Sequence, residues 1–103
     1  MFKRIKQSQN WEKCLLYWEE MGVPMKLVFE QLPFPDQAHI RENARGIQTD
    51  GGELEDVAVL AAAYLFDALS TGQKDIVRAK VFQWSSMKKL HPVSVEVAKE
   101  RFD

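Results

Sequence analysis

Cysteine is nearly missing from this chain: Cys14 stands alone, so no intrachain disulfide can close. Nothing calls for an oxidising compartment, and the expected address is the cytoplasm. Histidine is almost as scarce. His39 and His91 lie far apart, without the close, paired spacing in which zinc ligands normally come. The five glycines spell no phosphate-binding loop, and no serine or cysteine stands in a nucleophile elbow. No catalytic set, metal site or cofactor site is therefore read from these residues.

Long apolar runs are missing too. The longest, Val57 to Phe66, is ten residues, about half of the 18 or more that span a bilayer, and Asp67 closes it. No apolar stretch of signal-peptide length follows the basic start "MFKRIKQSQNW", so neither secretion nor membrane anchoring is expected. Nor does one sign of charge prevail. Fourteen Lys and Arg against fifteen Asp and Glu leave a formal charge of −1, with no overall field to draw in nucleic acid or an anionic membrane.

What is present suits one folded domain. In 103 residues, 46% are apolar and 28% charged, far too apolar for a disordered chain and too short for two cores. Trp11, Cys14, Leu15, Trp18 and Met21 recur at helical steps; Ser8 or Asn10 can cap this first helix and Gly22 end it. Pro24 opens a second, "PMKLVFEQL", which Pro33 stops. "PFPDQ" reads as extended, with Asp36 capping a weak third helix, "QAHIRENAR", closed by Gly46.

"IQTDGG" is the clearest break, and the apolar helix follows it. Asp50 and Glu53 have capping-box spacing, and Ser70-Thr71-Gly72 mark the end near Leu69. Ala58 and Ala62 lie one turn apart, which lets another helix approach closely. In "DIVRAKVFQWSSMKKL", Val77, Val81, Trp84 and Met87 form the stripe of a fifth helix capped by Asp75. The tail has valines at 93, 95 and 97 that alternate like a strand, but Pro92 at a first turn and the Val97–Arg101 spacing favour a helix.

Two constellations deserve a chemical reading. Glu53 and Asp56, at i and i+3 at the start of the apolar helix, suit its dipole and its unpaired N–H groups, and they could also hold magnesium with substrate phosphates. "ELEDV" followed by an apolar helix resembles the second half of the metal motif in the MazG-like all-α nucleotide pyrophosphohydrolases. That family carries an earlier helix with paired glutamates and a third three residues on. Here Glu19-Glu20 is the only tandem pair and Val23 takes the third position. The resemblance covers one helix and implies, as an alternative function, magnesium-dependent pyrophosphate release with Glu53 and Asp56 as ligands.

The second constellation is aromatic. Phe34 between two prolines, and Trp84 and Met87 on a helix rich in Lys and Arg, are the expected protein-binding surface. A nucleic-acid regulator ranks third: basic groups at Lys3, Arg4 and Lys6, at Arg78 and Lys80, and at Lys88 and Lys89 are scattered. The corner at Gly22 also has bulky Trp18 where a helix-turn-helix takes a small residue.

The sequence thus predicts a single all-α domain, four to six helices around a central apolar helix at about 51–70. A helix apolar on nearly every side asks for cover all round, and a second copy of the chain is expected to supply part of it. The expected function is a small cytoplasmic, non-enzymatic protein-binding or regulatory module that forms a homodimer, captures another protein, or does both.

Overall fold

The apolar run folds as a helix, and five more helices pack about it. The computed structural model describes residues 2–102, with side chains from Asn10 onward. In chain order the elements are α1 (Phe2–Glu20), α2 (Met25–Glu30), α3 (Phe34–Thr49), α4 (Leu54–Leu65), a 3-10 turn (Phe66–Ala68), α5 (Thr71–Ser86) and α6 (Pro92–Phe102). The architecture is all-α, as the periodicity predicted, and the tail is a helix. Among the described residues no helix is long and apolar enough to cross a membrane.

The ends of the helices show how local chemistry sets the layout. Gly22, at φ +90°, closes α1: its N–H bonds Glu19 O at 3.0 Å while Val23 N–H bonds Trp18 O at 2.9 Å. This is the Schellman arrangement, in which a left-handed residue turns the chain back onto the last carbonyls. Gly51 does the same for α3 through Gly52 N–H to Ile47 O at 2.8 Å, and Lys88, a non-glycine at φ +56°, does it for α5.

Several expected boundaries move. α1 begins at Phe2 instead of near Asn10, because no proline or glycine interrupts residues 2–10; Asn10 is interior, and the side chains of Ser8, Lys3, Arg4 and Lys6 lie outside those described. α3 begins at Phe34, so "PFPDQ" is a helix start and not an extended segment. Pro35 falls in the first turn, where its missing N–H has no intrahelical partner to lose, and Gln37 Nε2 donates to Leu32 O at 2.8 Å across the entry. Gly46 does not stop α3, which runs on to Thr49.

Asp50 does not cap α4; it ends α3, and Glu53 takes the N-cap position. Ser70 opens α5 rather than closing α4. Its Oγ accepts from Gln73 N–H at 3.2 Å while Gln73 Oε1 accepts from Ser70 N–H at 2.9 Å, a reciprocal capping box that displaces Asp75 from the expected role.

α4 is the centre of the molecule. Val57, Ala58, Val59, Ala61 and Ala62 have no exposed surface, and α1, α2, α3, α5 and α6 all touch this helix. The alanine side admits α1 closely enough for Trp18 Nε1 to donate to Ala58 O at 3.0 Å. α6 runs beside α4 in the same direction, pinned at both ends. Asp56 near the start of α4 accepts from His91 N–H at 2.8 Å, and Arg101 Nε donates to Ala63 O at 2.9 Å near its end. One chain thus covers most of α4: Leu54, Glu55, Leu60 and Ala63 are half-buried, and Tyr64 is the one α4 residue left exposed.

Candidate functional site

The acids at the start of α4 come first. Asp56 is buried at 1% exposure, and both carboxylate oxygens are engaged: Oδ2 accepts from Glu53 N–H and Oδ1 from His91 N–H, each at 2.8 Å. Charge-assisted bonds to backbone N–H groups are strong and directional. They bind this carboxylate into the fold as a cap, with one lone pair of each oxygen directed at a backbone donor. Glu53 remains exposed. Among the described residues no three His, Cys, Asp or Glu side chains come together as a metal-binding group. Cys14, fully buried, is no nucleophile either: burial pushes its thiol far above the ordinary value, and the nearby charge of Glu12 adds to the effect.

The three aromatic and thioether anchors part company. Phe34 opens α3 and is 83% exposed, and Met87 follows α5 at 54%. Trp84 is corrected from surface to core, with 4% exposure. Its ring stacks on Tyr17 at 5.8 Å and meets Trp18 edge-on at 5.7 Å. The reason lies in its own stripe: Val77, Val81 and Trp84 share the buried face of α5, so Trp84 goes where the valines go.

Phe82 is the residue that the sequence reading passed over. It lies about 100° around the helix from Val81, off the buried stripe, and is 74% exposed. There it borders a groove of about 520 Å³ between α5 and α6. Ala79, Val81 and Ser85 line it from α5, and Val95, Ala98 and Phe102 from α6. Arg78 and Lys99 complete the lining, and among the described residues no carboxylate joins them.

Cations also surround Phe66, the ring against which the groove residue Phe102 packs, one of them, Arg101, being paired with Asp67 at 2.7 Å. Phe102 meets Phe66 edge-on at 5.0 Å, and Lys74, Arg78 and Arg101 approach the Phe66 ring at 5.5, 5.0 and 5.7 Å. The residues from 71 to 102 contain seven Lys or Arg against three Asp or Glu, in a chain whose formal charge is −1. The charge balance of the whole chain conceals this basic flank.

A second groove, of about 510 Å³, lies among α3, α4 and α6, with Asn43 and Asp50 in its lining. Asn43 donates to the Tyr64 hydroxyl and approaches His39 at one end. At the other, His91 Nδ1 accepts from Val93 N–H at 3.1 Å, leaving the ring proton on Nε2, which faces Asp50 at 3.2 Å. These contacts satisfy one another and brace the helices. Comparison with family models, curated proteins and solved structures finds no match for the chain.

Proposed function

We propose that this chain is a non-enzymatic protein-binding module, acting in the cytoplasm, and that the α5–α6 groove is its contact surface. The observation that supports this most is Phe82. A phenylalanine held 74% exposed at the lip of an apolar groove gains little for the folded monomer, and a contact that covers it recovers the hydrophobic free energy of a large side chain. Large aromatics at the centre of a contact, rimmed by polar groups, are where binding energy concentrates. The lone buried Cys14 suits a reducing compartment.

Site-specific photo-crosslinking in cells tests the reading. With a photoreactive phenylalanine analogue at position 82, a discrete protein adduct is expected; the same analogue at Leu27, exposed on α2, serves as control. Identical adduct patterns from both positions would contradict a surface specific to the groove. Light scattering over a dilution series addresses the homodimer. A dimer dissociated by Phe82→Ser would place a second copy of the chain in the groove, and a dimer indifferent to it would put the self-contact elsewhere. Turnover of any nucleoside triphosphate with magnesium, lost in Glu53→Ala, would favour the pyrophosphohydrolase alternative instead.

A further inference from the structure

We infer that the occupant of the α5–α6 groove is an acidic amphipathic helix of another protein, an inference that rests on the protein-binding reading above. Shape comes first. Two helices with a trough between them form the surface onto which a third helix packs, its side-chain ridge entering the gap. Ala79, Ser85 and Ala98 are short, which allows a backbone to approach. The exposed Phe82 and the half-buried Phe102 line the groove from different helices and offer rings against which aliphatic residues of the incoming helix can rest.

Charge then selects among helices. Arg78 and Lys99, one on each side, line the groove with no carboxylate between them among the described residues. Asp75, the one acid on α5, lies 3.4 Å from Arg78 in an exposed pair that a stronger anionic partner can displace, and the α6 acids Glu96 and Glu100 are exposed and do not line the groove. A helix with Leu or Phe at one-turn spacing and Glu or Asp flanking that row meets the apolar floor and both cations at once. A basic helix would set like charges together, which costs affinity and slows encounter. A nucleic-acid strand would match the cations, but most of the lining is apolar and offers its phosphates nothing.

Synthetic peptides decide the matter. A fluorescent 18-residue helix carries leucine at i, i+3, i+4 and i+7 with glutamate flanks; a second has lysine flanks, a third keeps glutamate and replaces the leucines by serine. Anisotropy is measured with the full chain at low and near-physiological salt. The acidic leucine peptide is expected to bind at least about tenfold more tightly than either control, with a salt-sensitive affinity. Phe82→Ser should weaken it about tenfold, and Arg78→Glu or Lys99→Glu should shift preference toward the lysine peptide. Circular dichroism checks that each variant is folded.

Equal binding of the acidic and basic leucine peptides, abolished by Phe82→Ser, would overturn the charge inference and leave the groove reading standing. Binding of none of them, or binding that Phe82→Ser leaves intact, would remove the groove as a helix-docking site. Displacement of the peptide by a second copy of the chain, or by a short DNA duplex at near-physiological salt, would reassign the occupant.

Discussion

Asp56 and His91 lie 35 residues apart in the chain and are joined at 2.8 Å, carboxylate Oδ1 to backbone N–H, while the other oxygen of Asp56 holds the N–H of Glu53 at the same distance. One buried side chain thus starts α4 and fastens α6 to it. Asp56→Asn presents one N–H with an amide NH₂ and removes the negative charge from both bonds, so a loss of about 2–3 kcal/mol in unfolding free energy is expected. Glu53→Ala, at an exposed position, should cost less than about 1 kcal/mol. Urea denaturation of the two variants checks the order; equal losses would mean that Asp56 is not the staple.

Lys88 occupies a left-handed position that glycine fills at the ends of α1 and α3. Its side chain is exposed, and a non-glycine residue with positive φ carries a conformational cost of about 1–2 kcal/mol. Lys88→Gly should therefore stabilise the protein, by about 0.5–1 kcal/mol, net of the greater freedom glycine gives the unfolded chain. A lowered melting temperature would show that the Lys88 side chain makes a contact worth more than the strain.

Burial of Cys14 has a consequence at alkaline pH. In the unfolded chain a thiol ionises near about 8.5, whereas in the folded protein its ionisation is pushed far higher by burial, and further by Glu12. Above pH 8.5 the unfolded state has released this proton and the native state keeps it, so stability falls as pH rises, by about 1.4 kcal/mol per unit from this group. Cys14→Ala lacks that contribution. The stability advantage of the natural protein over the variant should shrink by about 2 kcal/mol between pH 8 and pH 10. A constant difference would mean that the thiol ionises in the folded state as readily as in the unfolded one.

How much of this was readable beforehand depends on whether the cause is local. Trp11, Cys14, Leu15 and Trp18 define a face by spacing alone, and Gly22 marks the end of their helix because few other residues reach φ +90° easily; both readings match the structure. Ser70 reads two ways in sequence, because the same residue types that halt one helix cap the next, and Gln73, three places on, is the sign of a start. The Glu53–Asp56 half of the cap is a sequence neighbour effect. The bond to His91 is tertiary, and no spacing foretells it. The groove is tertiary for the same reason: periodicity places Phe82 off the buried stripe of α5 but does not say that α6 lies across from it.

Phe82 and Trp84, two residues apart on α5, make the sharpest test of that distinction. Trp84 is in the core against Tyr17 and Trp18, so Trp84→Ala leaves a cavity that the neighbouring rings cannot fill and should cost about 3–5 kcal/mol. Phe82 meets solvent over most of its surface, so Phe82→Ser should change stability by no more than about 0.5 kcal/mol. Denaturation curves for the pair are expected to differ accordingly, with partner binding weakened in the variant that stays folded. If Phe82→Ser were as destabilising as Trp84→Ala, the ring at position 82 would be holding α5 to α6 within the monomer, and the groove beside it would be part of the core.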